Sequence, residues 1–170
     1  IEYILNGDKN DEMKFATGIN CTANPQEAYD EFRRTFEICA KERFFKSELV
    51  ADKDKSEKPK QKEKVRIHHY IQSFSPDENV TPEEAHQIGI EWAKKVFGND
   101  HQVIVSTHVD KDHIHNHFAV CPYNLDGKQW YANYKSLMKV RKISDAIALE
   151  HGLHIIESPK HKNKIGRAHV

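Results

Sequence analysis

A chain of 170 residues that is 38% hydrophobic and 31% charged has the composition of one soluble globular domain, not of a disordered or membrane-embedded chain. No run reaches the roughly 18 apolar residues of a membrane span and no basic-then-apolar leader opens the chain, so a cytoplasmic protein without membrane insertion is expected. Its 26 basic and 26 acidic residues cancel, which removes any global electrostatic argument for a polyanionic partner.

The distribution of charge says more than its sum. From Lys128 to Arg167 nine basic residues stand against three acids, a locally basic C-terminal third that a plain solvated face would also produce. The three cysteines, Cys21, Cys39 and Cys121, are odd in number and lack C-x-x-C spacing, so reduced thiols are expected rather than a disulfide frame or a cysteine zinc site.

In chain order, the opening "IEYILNGDKNDE" has the pattern of a short helix ending before Gly7. Asn24 then reads as an N-cap with Pro25 at the first helical position, and Ala28, Tyr29, Phe32, Phe36 and Ala40 follow at steps of three and four, one helical stripe. Residues 51–64, almost wholly charged or polar and aperiodic, read as a mobile loop. "VRIHHYIQSF" alternates as a strand with Val65, Ile67, His69 and Ile71 on one face. A second helix starts at a capping box, Thr81 with Glu84 and Pro82 between them, buries Ala85, Ile88, Trp92 and Val96, and ends at Gly98. "HQVIVSTHV" and "IHNHFAVC" form a hairpin about "DKD", and a last helix runs through Leu137, Val140, Ile143 and Ile147 to stop at Gly152. Strand, helix, hairpin and helix with tight connections predict an α+β domain built on an antiparallel β-sheet flanked by helices.

The hairpin carries the chemistry. On a strand, side chains at i and i+2 share a face, so His115 and His117 point the same way, and His113 joins them only if the strand begins early. A hairpin folded about Lys111 and Asp112 sets His108 opposite His115, where Cβ atoms of opposed residues lie about 4.5–5.5 Å apart. Three imidazoles then converge, a donor set for a divalent ion with positions open to water or substrate, and Asp110 is placed to orient one ring through its second nitrogen.

"HVDKDHIHNH", preceded by "HYIQSFSPDENVTPEEAHQIGIEWAKKVFG", resembles the Mob-type relaxases of mobilisable plasmids and conjugative elements, a branch of the HUH endonuclease superfamily. The likeness runs from Ile1 to about Glu157. It implies a divalent ion, Mg or Mn with Zn or Ni as alternatives, held by His108, His115 and His117, with His113 an additional family-typical histidine. The ion grips the scissile phosphate of single-stranded DNA at an origin of transfer. In "IEYILN" the position matching the family's nucleophile is Tyr3, whose attack leaves a 5′-phosphotyrosine link and a free 3′-hydroxyl. Ser73 falls near the motif that holds DNA close to the nick. Relaxosome accessory proteins and a coupling protein are the implied partners.

Against that pattern, the position four after His117, often asparagine in these relaxases, is Cys121. The resemblance also implies a relaxase domain over residues 1–157 lacking its first strand and open at its N-terminus. A tail at 158–170 follows, of which "IGRAHV" at 165–170 reads as a translated sequencing adapter, hence non-native. The rival reading is a non-catalytic, metal-stabilised DNA-binding module in which Tyr3 only packs. An HNH nuclease is excluded, because the "HNH" of residues 115–117 is consecutive on one strand.

Overall fold

A computed structural model describes residues 1–11, 14–50, 65–110 and 113–155, and over 43–50 the backbone alone. The loop expected at 51–64, the turn at Lys111 and Asp112, and the tail lie outside the described residues. The elements are β1 (Ala16–Ile19), α1 (Pro25–Val50), β2 (His68–Ser73), α2 (Pro82–Phe97), β3 (His101–His108), β4 (His115–Asn124) and α3 (Tyr134–Glu150). Among the described residues the strands make one sheet in the order β1-β3-β4-β2, every neighbouring pair antiparallel. The α+β class and the hairpin are as expected.

The helices begin where the sequence sets them. Asn24 Oδ1 accepts from the backbone N–H groups of Gln26 and Glu27 at 3.0 and 3.2 Å, and Pro25 follows it. Thr81 and Glu84 close the capping box of α2, and Gly98 ends it at φ 74°, a left-handed conformation that costs glycine little. The N-terminal segment is shorter than expected. It makes one turn, with the N–H groups of Ile4 and Leu5 both on the Ile1 carbonyl, and then irregular chain. The strand β1 is not anticipated by the sequence pattern.

Register divides the sheet into two faces. One carries Ala16, Ile104, Ser106, His108, His115, His117, Ala119, His69, Ile71 and Ser73, since paired residues share a face. Above it Ile4, Leu5, Ala28 and Phe32 close a small core over Ile104, Ala119 and Cys121. The other face carries Val103, Val105, Phe118 and Val120, packed under Ala85, Ile88, Trp92, Val96 and Phe97 of α2 and Val140 and Ile147 of α3. Each such buried branched or aromatic side chain contributes roughly 1.5–3 kcal/mol, so this second face dominates stability. With cover on both sides, β3 and β4 are buried along their whole length. No described helix is long and apolar enough to cross a membrane.

Candidate metal centre and active site

The site forms at the end of the sheet where β3 finishes and β4 starts. His108 pairs with His115, and His117 lies one same-face step further along β4, opposite Ser106 on β3 and Ile71 on β2. Ring centroids are 5.3 Å apart for His108 and His115, 5.0 Å for His115 and His117, and 4.3 Å for His108 and His117. All three side chains are buried, and one ring nitrogen from each lies within 4.8 Å of the others.

The opposite nitrogen of each ring is already held. His108 Nε2 lies 2.9 Å from the Ile4 carbonyl, which can only accept, so Nε2 carries the proton and Nδ1 keeps its lone pair. That Nδ1 is buried with no hydrogen-bond partner. His115 Nδ1 donates in the same sense to the His113 carbonyl at 3.2 Å, leaving Nε2 as its donor atom to an ion. His117 Nδ1 lies 2.8 Å from His69 Nε2, with the two rings stacked. Burial, more than any other influence, pushes the His108 pKa below its ordinary value, which favours the neutral ligand form. Two rings whose tautomers are set by backbone carbonyls, a third imidazole converging with them and a buried lone pair without a partner fit a divalent ion well.

Tyr3 stands over this cluster. Its ring is edge-on to His108 and His117 at centroid distances of 5.9 and 5.7 Å, yet the residue is 53% exposed. The neighbours explain the placement: Ile4 and Leu5 are anchored in the core under α1, and the Ile4 carbonyl holds His108, so Tyr3 projects at the rim. The Lys9 ammonium sits 3.9 Å from the Tyr3 ring centroid, a cation–π contact. Downstream chain is tied to β3 by the Val109 N–H on the Lys9 carbonyl and by Asn10 Nδ2 donating to Ser106 Oγ.

The auxiliary positions are distributed around this centre. Ser73 ends β2 directly opposite His115. His113 lies 5.3 Å, ring to ring, from His115 and gives its carbonyl to that ligand. Asp110 is exposed and acts on His108 through its charge, while the hydrogen bonds that orient the rings come from the Ile4 and His113 carbonyls and from His69.

Beneath the histidines, on the other face, the intervening residues form a buried polar chain. Asn116 Nδ2 donates to the Ala85 carbonyl at 2.7 Å and to Gln72 Oε1 at 3.1 Å, which fixes the amide orientation, so Oδ1 receives the Thr107 hydroxyl at 2.6 Å. Thr107 has then used its proton and accepts from His86 Nδ1 at 2.8 Å, while His86 Nε2 meets the Thr17 hydroxyl at 2.8 Å. Gln72 Nε2 continues the chain to Ser144 Oγ on α3. All four strands and two helices are pinned to one another directly under the ligands. At Gly89 of α2 an added Cβ would lie 2.6 Å from Asn116 Nδ2, so glycine permits this close approach.

A family model for relaxases, the MobA/VirD2-like nuclease domain, matches residues 3–153. The chain belongs to the relaxase family. It is 47% identical over 94 residues to Protein rlx of Staphylococcus aureus, an alignment covering 55% of this chain and 29% of that protein. It is 34% identical over 173 residues to the group II intron-interrupted relaxase LtrB of Lactococcus lactis subsp. cremoris, covering 91% of this chain and 31% of the relative. This relaxase chain thus spans less than a third of the length of these relatives. No solved structure matches it at a significant level.

In this relaxase domain, Cys121 lies in the core beneath α1, four residues and so roughly 13 Å of strand from His117. Its thiol is pushed up to about 11 by burial, the state of a packing residue. Sequence reasoning misses His69 and Lys9. Strand parity does put His69 on the face of Ile71, but only the β2–β4 register sets that face beside His117.

Proposed function

We propose that this domain nicks single-stranded DNA at an origin of transfer through attack of the Tyr3 phenol on the scissile phosphate. A bond forms between Tyr3 Oη and phosphorus, the bond from phosphorus to the 3′-oxygen breaks, the phenolic proton is released and the leaving oxygen takes up a proton. The product is a 5′-phosphotyrosine link that the free 3′-hydroxyl can reverse. The observation that carries this reading is the convergence of Tyr3, 53% exposed, with three histidines whose remaining ring nitrogens are already bonded.

His108, His115 and His117 would hold the divalent ion, which when bound polarises the phosphate and offsets charge developing in the transition state. Neutral imidazole donors suit Zn or Ni better than Mg or Mn. The Ile4 and His113 carbonyls keep His108 and His115 in ligand tautomers, and a proton on His117 Nδ1 toward His69 would do the same for the third ring. Lys9, above the Tyr3 ring, adds positive charge where a phenolate and a phosphate meet. Ser73, opposite His115, is placed to hold the DNA backbone beside the nick. Relaxosome proteins and a coupling protein belong to the same reading as partners.

The test is strand nicking of origin-bearing single-stranded DNA by the chelated protein and after return of Mn, Zn, Ni or Mg. Cleavage that appears only with a divalent ion supports the reading. Ion binding and DNA binding without cleavage under every ion would instead establish the metal-stabilised binding module.

A further inference from the structure

The apolar stripe of α1 is not buried throughout. Ala28 and Phe32 lie in the small core over the sheet, whereas Tyr29, one step around the helix, is 47% exposed. Tyr29, Arg33 and Glu37 follow one another at steps of four and so make one row along this flank. The opposite flank of α1 meets β3, where Thr35 donates to Gln102 Oε1 at 2.7 Å. Since β4 and then β2 follow β3 in the sheet, the Tyr29 row faces the edge strand β2.

Between that row and the chain entering β2 lies an open cleft of about 130 Å³. A single water needs only about 10–15 Å³ of such space, so the cleft has room for a planar ring. Phe32, Phe36 and Ile67 wall it together with the Tyr29 ring, and Tyr123 braces Phe36 edge-on at 5.7 Å. Arg33, Glu37 and Arg66 supply its polar groups. Arg33 Nε donates to Glu37 Oε1 at 2.8 Å and holds that carboxyl below its ordinary range, with smaller help from the charges of Lys41 and Arg66. An ionised carboxylate accepts from an amino group, a guanidinium takes a phosphate and aromatic walls take a π-face, and a nucleotide offers all three.

The cleft is continuous with the histidine site. Ile67 packs on the core beneath α1 and so shares the site face with His69, two residues and about 6.5 Å further along extended chain. His69 is exposed and stacks on His117 at 5.0 Å between ring centroids. A strand held by its phosphate at the histidines can therefore pass over His69 and bring a neighbouring base to the cleft.

We propose that this cleft between α1 and β2 is a subsite for an unstacked base of the single strand beside the nick. The base carries an exocyclic amino group that it gives to Glu37, its ring lies against Tyr29 and Phe36, and its phosphate meets Arg66. This rests on the reading of the histidine site as the nicking centre. The test uses the 170-residue protein and labelled single strands of about 10 nucleotides, all cytosine or all thymine, with anisotropy across a salt series. Cytosine has the amino group and thymine lacks it, so the wild type should prefer cytosine and Glu37→Ala should erase that preference. Tyr29→Ala should weaken binding of both strands about tenfold, the loss of a stacked base. Arg66→Gln should lower the slope of log affinity against log salt by about 0.7, the loss of a phosphate contact. All three positions are exposed, and unchanged unfolding midpoints show that the variants fold. Photocrosslinking of a strand carrying an iodinated cytosine, read by peptide mass spectrometry, should place the adduct on Tyr29, Phe32 or Phe36. Wild-type affinity in Tyr29→Ala, or an adduct confined to other exposed rings such as Tyr131 and Tyr134, would overturn the proposal. The two readings fail differently: without a nicking centre the cleft still crosslinks while no Tyr3 adduct forms, and without the subsite the Tyr3 adduct forms while Tyr29→Ala binds as the wild type does.

Discussion

The two faces of one sheet are built from alternate residues of the same strands and differ in what covers them. On β4, Asn116, Phe118 and Val120 lie under two helices, whereas His115 and His117 lie under a single turn of chain, Ile1–Leu5, with Tyr3 at its rim. The helix-covered face holds the larger apolar core and a polar chain in which donors and acceptors are matched. Among the described residues both faces hold a buried imidazole nitrogen without a partner in protein, His68 Nε2 on the helix-covered face and His108 Nδ1 on the turn-covered one, but only the latter converges with two further histidines. An unpaired buried polar atom costs stability. The difference teaches that one face is organised for stability and the other for a ligand, with the strand period of two keeping the roles apart.

This separation can be broken from either side. The largest stability effect is expected from Asn116→Ala, which strands the Thr107 hydroxyl, Gln72 Oε1 and the Ala85 carbonyl beneath α2. A loss of about 2–4 kcal/mol is expected by chemical denaturation, with ion stoichiometry retained in the folded fraction. From the other side, His115→Ala or His117→Ala should abolish measurable ion binding and nicking while the unfolding midpoint of the ion-free protein shifts little. Calorimetric titration checks the first part and thermal melts the second. If either variant keeps wild-type ion affinity, the triad is misassigned.

Next in size is His69→Ala, which removes the partner of His117 Nδ1 without removing a ligand. Ion affinity should fall about 10–100-fold, and His69→Gln, whose amide can restore a hydrogen bond, should recover part of it. Asp110→Asn, at an exposed position, should change ion affinity by no more than about threefold.

The hairpin half of this site was legible in the sequence because its geometry is local. Alternation set His115 and His117 on one face, and a short connection set His108 opposite His115. The capping residues Asn24, Thr81 and Glu84 were legible for the same reason. The partner of His117 was not, because the pairing of β2 with β4 joins residues 48 positions apart and no local pattern states its register. The orienting role expected of Asp110 is taken by backbone carbonyls, which carry no signature in sequence. Strand β1, four residues with a glycine and no apolar run, offers too little pattern to be read. The N-terminal half of α3 has helical periodicity, but periodicity does not reveal that Leu137 stays 41% exposed.

A further predicted effect concerns pH. Burial lowers the His86 pKa from its ordinary value. Above about pH 6.5 the ring is neutral in folded and unfolded chains and its contribution is fully present. As pH falls below that value the unfolded chain takes up the proton first, so stability declines, by at most about 1.4 kcal/mol per pH unit for this one group. His86→Gln should flatten this acid limb in denaturation curves measured between pH 7 and 5. An acid limb as steep as that of the wild type would assign the effect to other groups.

The most direct test of the nicking centre is peptide mass spectrometry of the covalent adduct, trapped on single-stranded origin oligonucleotides with and without divalent ion. A nucleotide on Tyr3, formed only with ion present and absent in Tyr3→Phe while DNA binding persists, is the expected result. An adduct on Tyr29 or Tyr70, or one that survives Tyr3→Phe, would contradict it.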